Sequence, residues 1–442
     1  MALENDVLRK ISPSDEERRA IDRKVGLLLE RVKSEADKED LGLEVLMVGS
    51  VAKDTFLRDP DLDVFILFPE SVSRERLESI GLALGWKVLE KGEERYAEHP
   101  YIHGLWEALE VDMVPCYRIM DTTRLRSAVD RTPFHTQYVR SNLRDEQKKE
   151  VRLLKQFAKG VGVYGAEART QGFSGYLLEL LIIRFDSFRQ VLEEASSWKR
   201  GAVLDLADEA CRKFNDPLVF HDPVDANRNV ASALSAQSLA RFIYAARCYL
   251  DRPSERFFFP NRREPLKLDD MRAMLEQRGT GPLVITMRRP HIIDDNLYPQ
   301  IRRSLEGACT MLEGSDFRVI DRAYHVAEDI RFVLELESLE LPRGRYHSGP
   351  PAWVENSNAF LERWEKEGLS RPYLVNGHWA VVAPRAYTRA DDLVRSKLSA
   401  AALGSDLRTA EVLSVNMGAS AISERNRPAL SAMLDKRMNW EV

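Results

Sequence analysis

Two aspartates stand at the start of a stretch that otherwise reads as a buried β-strand. Residues 62 and 64–68 are apolar, a nearly continuous run typical of strands covered on both faces. Side chains alternate along a strand, so Asp61 and Asp63 project from one face, roughly 6–7 Å apart. An isolated Asp-x-Asp would instead suit a turn and a solvated edge strand. The apolar neighbourhood argues against that interpretation, and two buried anions so close together predict a bound cation.

A third carboxylate, Asp112, alternates with apolar residues in the segment 109–114. If the two predicted strands are neighbours, Asp61, Asp63 and Asp112 form a cluster of hard oxygen ligands that suits magnesium. Two magnesium ions about 4 Å apart can activate a hydroxyl and stabilise a leaving pyrophosphate. The cluster therefore predicts phosphoryl-transfer chemistry. Glu110 lies on the same face and is a rival ligand.

The segment before the aspartates suits a triphosphate. EVLMVGS reads as a strand ending in Gly49 and Ser50, and VAKDTFL reads as a short helix. Glycine permits close backbone approach, and the serine hydroxyl, the helix amides and Lys53 together offer donors to phosphate oxygens. An ordinary strand-to-helix turn has the same pattern. Gly49 and Ser50 therefore indicate a phosphate site only in combination with the three carboxylates.

The order strand, Gly49-Ser50, short helix, Asp61-x-Asp63 and a later Asp112 resembles the DNA polymerase beta type of nucleotidyltransferase. Further blocks narrow the resemblance to the archaeal, class I CCA-adding enzymes: YAEHPYIHG (96–104), EVDMVPCY (110–117), SAVDRTPFH (127–135), EVRLLKQFAKGVGVYGAE (150–167), GFSGYLLELLI (172–182), DPVDANRNVA (222–231) and DDNLYPQ (294–300). The resemblance extends from residue 44 to about 300. Past residue 305, assignment rests on length and position.

The resemblance implies template-independent addition and repair of the 3′-terminal CCA of tRNA from CTP and ATP, with release of pyrophosphate. It implies that Asp61, Asp63 and Asp112 are catalytic and bind Mg²⁺. The residues implied to bind the nucleotide are Gly49, Ser50, Lys53, His135, Lys155, Tyr164 and Arg228. Many relatives carry glutamate at the position of Asp61 and arginine at that of Lys53. The side chain of aspartate is shorter than that of glutamate. Lysine keeps the positive charge of arginine but lacks the planar guanidinium that can form two parallel hydrogen bonds to one group.

The resemblance also implies contact with the acceptor stem and T arm of tRNA, and it leaves a homodimer open. Because the net charge is −5, binding of tRNA phosphates requires local basic patches. Candidate patches contain Arg262, Arg263, Arg288, Arg289, Arg302, Arg303, Arg425 and Arg427. No apolar run has membrane length, the N-terminus has no hydrophobic signal region, and the four cysteines lack metal-ligand spacing. These features predict a cytoplasmic protein without membrane contact or structural zinc.

The pattern of elements predicts an α+β multidomain protein. It opens with a helix capped by Ser12, and strands then lead to about residue 117 as a polymerase beta-like head with a mixed sheet. The pattern is helical from about 135 to 250, and a Pro- and Arg-rich segment at 251–265 marks a boundary. We therefore expect a nucleotidyltransferase head (1–140), a helical central domain (141–255), and an α+β C-terminal body and tail that binds tRNA (256–442).

Three other functions stay open on the sequence. A poly(A) polymerase or oligoadenylate synthetase would share the metal cluster, and the blocks at 96–104 and 127–135 argue against both. A metal-dependent phosphohydrolase would not need the Gly-Ser turn. A non-catalytic RNA-binding module would not depend on Asp61 or Asp63. A buried carboxylate cluster is costly without a cation, which disfavours the binding module.

Overall fold

The computed structural model describes residues 2–96, 99–206, 213–355 and 357–442. Residues 97–98 of the predicted block 96–104, and Cys211, lie outside these ranges. The chain divides into two compact units, one formed by the residues up to Arg262 together with Met438–Val442, the other by Arg263–Arg437. The boundaries expected at residues 140 and 255 stay predictions. In the described ranges, no helix has both the length and the apolar character needed to cross a membrane.

A five-stranded mixed sheet in the first unit carries the three aspartates. Its strands are β1 (Glu44–Val48), β2 (Leu62–Phe68), β3 (Glu90–Tyr96), β4 (Pro100–Trp106) and β5 (Leu109–Tyr117), in the spatial order β1-β2-β5-β4-β3. β2 runs parallel to β5, and the other neighbours are antiparallel. The helices of this region are α1 (Ala2–Ile11), α2 (Asp15–Ala36), α3 (Gly49–Ala52) and α4 (Arg74–Val88). The mixed sheet predicted for the head is confirmed.

Both faces of β2 are covered, as its apolar run predicts. One face packs against α2 and α4 in a core that includes Val64, Ile66, Leu28, Val32, Leu77 and Leu84. The opposite face begins with Asp63 and continues with Phe65 and Leu67, which join a smaller apolar cluster. The aspartates therefore lie where an otherwise buried sheet face turns polar.

Two predicted details of the head were wrong. The helix expected to be capped by Ser12 is capped by Ser14, whose Oγ accepts from the Glu17 N–H while the Glu17 carboxylate accepts from the Ser14 N–H. This reciprocal pair satisfies two backbone donors at once, which a cap at Ser12 would not do. The strand before the aspartates ends at Val48, so Gly49 and Ser50 belong to the single helical turn α3.

The remainder of the first unit is mainly helical. Its helices are α5 (Thr132–Asn142), α6 (Asp145–Gly160), α7 (Gly175–Phe185), α8 (Phe188–Ala195) and α9 (Ala236–Asp251), with short strands β6 (Ala202–Val203), β7 (Leu218–Val219), β8 (His221–Asp222) and β9 (Asp225–Asn229). Phe157 of α6 lies amid aromatic rings that include Phe188, Phe242 and Tyr249. Trp440 stacks on Phe257 at 5.2 Å, so the C-terminal residues pack in this unit.

The second unit contains both helices and sheets. Its elements are α10 (Leu268–Arg278), β10 (Gly281–Arg288), α11 (Asp294–Glu313), β11 (Val319–Val326), β12 (Asp329–Leu336), β13 (Gly344–Pro351), α12 (Ser357–Glu367), β14 (Tyr373–Val375), β15 (His378–Pro384), α13 (Ala390–Lys397), α14 (Ser405–Thr409), β16 (Val412–Met417) and α15 (Arg427–Leu434). The strands form sheets of order β11-β12-β10-β16 and β13-β15-β14. The predicted α+β character of this region is confirmed.

Candidate active site

The three aspartates meet on one face of two neighbouring parallel strands. β2 and β5 pair so that Asp63 stands directly opposite Asp112, and Asp61 comes one residue before β2 begins. Neighbouring strands lie about 4.8 Å apart, and residues i and i+2 share a face. Val48, the last residue of β1, pairs with Asp63 on its other side. The register therefore brings the predicted carboxylates together beside the turn that follows β1.

Burial and mutual repulsion disfavour the charged forms of these carboxylates. Burial raises the pKa of Asp63 to about 6; the charge of Asp112 acts in the same direction, and Lys53 opposes it. Burial also raises the pKa of Asp61, with nearby Glu110 and Asp112 adding to the effect. A cation relieves repulsion of this kind, and carboxylate oxygens are hard ligands. The donor set therefore fits a divalent metal ion.

Two of the three carboxylates lie close to other groups. Over the described part of the chain, no group of three or more His, Cys, Asp or Glu side chains has the arrangement of a metal site. Asp112 Oδ1 lies 2.7 Å from His103 Nδ1, and the Asp63 carboxylate lies against the backbone of Gly49.

Only glycine suits position 49. Gly49 has φ of +69°, and a Cβ built on it would lie 1.9 Å from Asp63 Oδ2. Any larger residue would be strained by its backbone and would displace the carboxylate. Ser50 follows in α3 and is partly exposed, and its carbonyl accepts a hydrogen bond from the Thr55 N–H at 2.9 Å. The turn thus places a serine next to the aspartates, as the sequence predicts.

Two predicted phosphate-binding lysines converge on one buried carboxylate. Lys53 lies just after α3 and donates to Glu179 Oε2 at 2.6 Å. Lys155 of α6 donates to Glu179 Oε1 at 3.0 Å, and so does the Thr55 hydroxyl, at 2.6 Å. Burial opposes ionisation of Glu179, but Lys155 and Lys53 outweigh it and lower its pKa to about 2. Glu179 is therefore charged, and both lysines are held in place.

A second buried carboxylate joins His135 and Arg228. His135 Nε2 lies 2.8 Å from Asp222 Oδ2, and Arg228 Nη1 donates to the same oxygen at 2.7 Å. Tyr176 donates to Asp222 Oδ1 at 3.1 Å and stacks on the His135 ring, with 4.0 Å between ring centres. Burial lowers the pKa of His135, Asp222 opposes this, and the charges of Arg228 and Lys53 add to the lowering. Lys53 lies near this cluster, with its Nζ 6.0 Å from the centre of the Tyr176 ring.

Tyr164 completes the set and lies close to Lys155. A Cβ on Gly175 would lie 3.3 Å from the Tyr164 hydroxyl and 3.6 Å from Lys155 Cε. Burial raises the pKa of Tyr164, and the charges of Glu179, Asp61 and Asp63 act in the same direction. Lys159, one helical turn after Lys155, has its ammonium 5.2 Å from the centre of the Tyr164 ring. Burial lowers its pKa, and Asp61 opposes this, so Lys159 adds positive charge beside the aspartates.

Sequence reasoning missed the residues that hold the predicted ones in place. Glu179 had a signal, because it interrupts the apolar helix GYLLELLII, and an ionised side chain there requires a buried partner. For Asp222 the sequence suggested only a surface ion pair, with Arg228 bonded to Asp222 or Asp225; the structure shows the pair with Asp222 and adds His135 and Tyr176 to it. His103 was left out because it lacks a partner at metal-ligand spacing in the sequence, yet strand pairing sets it opposite Asp112. These contacts join distant segments, and spacing along the chain does not reveal them.

Models of three protein families match the chain in sequence order. The nucleotidyltransferase domain matches residues 28–135, the second domain of tRNA nucleotidyltransferase matches 149–259, and the C-terminal domain of CCA-adding enzyme matches 278–416. The first match contains the mixed sheet and the paired aspartates. Together, fold and site define the chain as a nucleotidyltransferase.

Full-length relatives define the family. The CCA-adding enzyme of Haloarcula marismortui is 38% identical over 413 residues, covering 89% of each chain. That of Methanosarcina mazei is 39% identical over 424 residues, covering 94% of this chain and 92% of the relative. The chain belongs to the family of CCA-adding enzymes, and the resemblance seen in the sequence is confirmed. Among solved structures, the Cid1 poly(U) polymerase matches 58% of this chain and 96% of its own at TM-score 0.45 and 15% identity, too distant to refine the assignment.

Proposed function

We propose that Asp61, Asp63 and Asp112 hold Mg²⁺ and that this site transfers CMP and AMP from CTP and ATP to the 3′ end of tRNA. Membership of the family makes the chain an enzyme that adds CCA to tRNA by nucleotidyl transfer without a nucleic-acid template. Enzymes of this family act on tRNA with nucleotide substrates and use a divalent metal ion. The observation that carries the catalytic assignment is the register of β2 and β5, which sets Asp63 opposite Asp112.

Each addition forms one bond and breaks one. The 3′ oxygen of the tRNA attacks the α-phosphorus of the nucleotide, loses its proton, and displaces pyrophosphate. When bound, Mg²⁺ lowers the pKa of the attacking hydroxyl and stabilises the charge on the leaving group. Within the chain, His103 Nδ1 lies 2.7 Å from Asp112 Oδ1, so this histidine is placed to orient the carboxylate. Gly49 lets the backbone approach closely at this point.

The nucleotide-binding residues divide into two groups. Ser50, Lys53 and Lys155 lie on the carboxylate side and suit the triphosphate, since both lysines reduce the pKa of buried Asp63. His135 and Arg228 form the second group, around Asp222, and suit the base or sugar of the nucleotide. We assign Arg228 to reading of the incoming base, and Tyr164 to the wall near Lys155.

The assignments beyond the active site follow the family. We propose that the second unit contacts the acceptor stem and T arm of tRNA and that the enzyme works in the cytoplasm. A homodimer remains one assembly open to it. Since the net charge is −5, the tRNA-binding surface requires local arginine patches.

Extension of three tRNA transcripts, lacking CCA, CA or A, tests the proposed function. Each is incubated with CTP and ATP, together and separately, in Mg²⁺, and wild type is compared with the double variant Asp61→Ala, Asp63→Ala. We expect stepwise completion to CCA followed by arrest, and no extension by the double variant. The exposed Asp22 on α2 provides a control, and Asp22→Asn is expected to extend normally.

Other outcomes contradict the proposal in distinct ways. Long A tails would indicate a poly(A)-type polymerase. Release of phosphate from nucleotides without extension would indicate a phosphohydrolase. Tight tRNA binding with no extension by the wild type, unchanged by Mg²⁺, would indicate an RNA-binding module.

A further inference from the structure

A third lysine lies beyond the two that were predicted to bind phosphate. Lys159 follows Lys155 by one turn of α6, so their side chains share a face of the helix and lie about 6 Å apart along its axis. Asp61 and Asp63 share a face as well, roughly 6–7 Å apart along their strand. The helix and the strand therefore each carry a pair of charged side chains, and the two pairs have similar spacing.

The charges of the two pairs influence one another in order. Burial raises the pKa of Asp63, and the cations that oppose this rise are Lys53 and Lys155. Burial also raises the pKa of Asp61, and here Lys159 is the cation that opposes it most. The influence is mutual, because partial burial lowers the pKa of Lys159 and Asp61 opposes that change. Lys159 is therefore the lysine beside the outer aspartate, Asp61.

The ammonium group of Lys159 lies against an aromatic ring and keeps its hydrogen-bond donors. Its Nζ lies 5.2 Å from the centre of the Tyr164 ring, within the range of a cation–π interaction. Much of the residue is exposed, and over the described residues the ammonium makes no hydrogen bond and no ion pair. An ammonium group has three N–H donors. Lys159 can therefore donate to an anion without breaking an existing hydrogen bond.

We propose that Lys159 binds the β- and γ-phosphates of the incoming nucleotide, and the pyrophosphate that leaves, beside Asp61. The inference rests on the proposed function for the presence of a triphosphate at this site. It adds a phosphate-binding residue that the sequence did not single out, and it leaves Lys53 and Lys155 with the contacts already assigned to them. Pyrophosphate carries several negative charges, so each cation placed along it strengthens its binding.

The substitution Lys159→Met tests this inference. Methionine keeps an unbranched apolar stem and removes the charge, and no buried group loses a partner. We expect the Kd for inorganic pyrophosphate, measured by calorimetry on the full chain in excess Mg²⁺, to rise about five- to tenfold. This is the loss expected for one charge-assisted contact at a partly solvated position. The KM values for CTP and ATP should rise together, with the KM for tRNA unchanged.

Binding of Mg²⁺ separates loss of a phosphate contact from damage to the site. Removing a positive charge beside Asp61 lets the carboxylates attract a cation more strongly. The Kd for Mg²⁺ alone should therefore stay the same or fall in Lys159→Met, while the Kd for pyrophosphate rises. Distortion of the aspartates would instead weaken the binding of Mg²⁺ and of pyrophosphate together, and that result overturns the proposal.

Another lysine of the same helix provides the matched control. Lys149 is exposed and lies nearer the start of α6. Lys149→Met removes the same charge from the chain and is expected to leave the Kd for pyrophosphate unchanged. Lys159→Arg keeps the charge and should bind pyrophosphate within about twofold of wild type. Equal losses in Lys149→Met and Lys159→Met would show an effect of overall charge, and a full loss in Lys159→Arg would show that charge is not what matters; either overturns the proposal.

The tRNA backbone is the other polyanion that a lysine at this position could contact. A higher KM for tRNA in Lys159→Met, with an unchanged Kd for pyrophosphate, would assign the residue to tRNA and overturn the proposal.

The pyrophosphate measurement also keeps this proposal distinct from the proposed function. If wild type fails to extend tRNA but Lys159→Met weakens pyrophosphate binding, the role of Lys159 holds and the proposed function falls. If wild type completes CCA and Lys159→Met binds pyrophosphate as wild type does, the function holds and the role of Lys159 falls.

Discussion

Replacing Asp63 by asparagine is expected to abolish extension of tRNA and at the same time to stabilise the fold. Asparagine has nearly the same shape as aspartate but carries no charge. Asp63, with a pKa of about 6, is mostly ionised at pH 7, and it lies at a half-buried position opposite Asp112. In the absence of metal, the folded protein therefore bears a charge that its surroundings disfavour. Removal of that charge takes away a destabilising interaction together with a metal ligand.

The size of the effect follows from the pKa of Asp63. Its rise from 3.8 to about 6 corresponds to about 3 kcal/mol, at 1.36 kcal/mol for each pH unit. Between these two values, the folded state binds more protons than the unfolded state, so the free energy of unfolding falls as pH rises from about 4 to about 6. Above this window the destabilisation is complete, and below it there is none. Because asparagine also buries an amide, we expect Asp63→Asn to be more stable at pH 7 by about 1–3 kcal/mol.

Thermal unfolding in EDTA at pH values from 4 to 8 measures this difference. A gain of 1 kcal/mol in a unit of this size raises Tm by roughly 2–4 °C. The gap between variant and wild type should be largest at pH 7 and should narrow toward pH 4. The control Asp22→Asn, which removes an exposed carboxylate of the same unit, should show no such pH-dependent gap. Mg²⁺ should raise the Tm of wild type more than that of Asp63→Asn.

Either of two results refutes the reasoning. If Asp63→Asn in EDTA is no more stable than wild type at pH 7, or if the gap does not narrow as pH falls, burial and repulsion do not govern this carboxylate. The assignment of Asp63 as a strained, cation-requiring ligand then fails as well.

Three further predictions concern the neighbouring residues. Gly49→Ala should lower the single-turnover rate of extension at least about tenfold, because the left-handed backbone costs about 1–2 kcal/mol and the Cβ displaces Asp63; an unchanged rate contradicts the close approach. Arg228→Ala should alter the choice between CTP and ATP on tRNA transcripts that lack CA or A. Unchanged selection at unchanged activity would remove its assigned role. Asp222→Asn should lower the pKa of His135 further, since the carboxylate opposes the effect of burial; an NMR titration that shows a higher value contradicts the contact.

The aspartate pair could be singled out from the sequence because its signal is local. A period of two places Asp61 and Asp63 on one face, and the apolar run that follows identifies a strand covered on both sides. The mixed sheet and the α+β composition followed from similar patterns. What spacing alone did not reveal was that β5, and not another strand, lies beside β2. The family resemblance implied that β5 lies beside β2, and the pairing of Asp63 with Asp112 confirms it.

Only the tertiary structure decided the partners of the residues predicted to bind the nucleotide. Lys155 resembles any solvated lysine of an amphipathic helix, yet it is buried and uses all three donors. From the sequence, His135 could equally have capped a helix. In the structure its ring stacks on Tyr176. Even the first long helix was capped at Ser14 and not at Ser12, because reciprocal bonding with Glu17 decided between two similar serines.

The sequence by itself determined that Asp61 and Asp63 share one face, because side chains alternate between the two faces along a strand. Only the tertiary structure decided how those side chains are held. A buried charge needs a partner within a few ångströms, and that partner can come from anywhere in the chain, as Glu179 does for Lys53 across 126 positions.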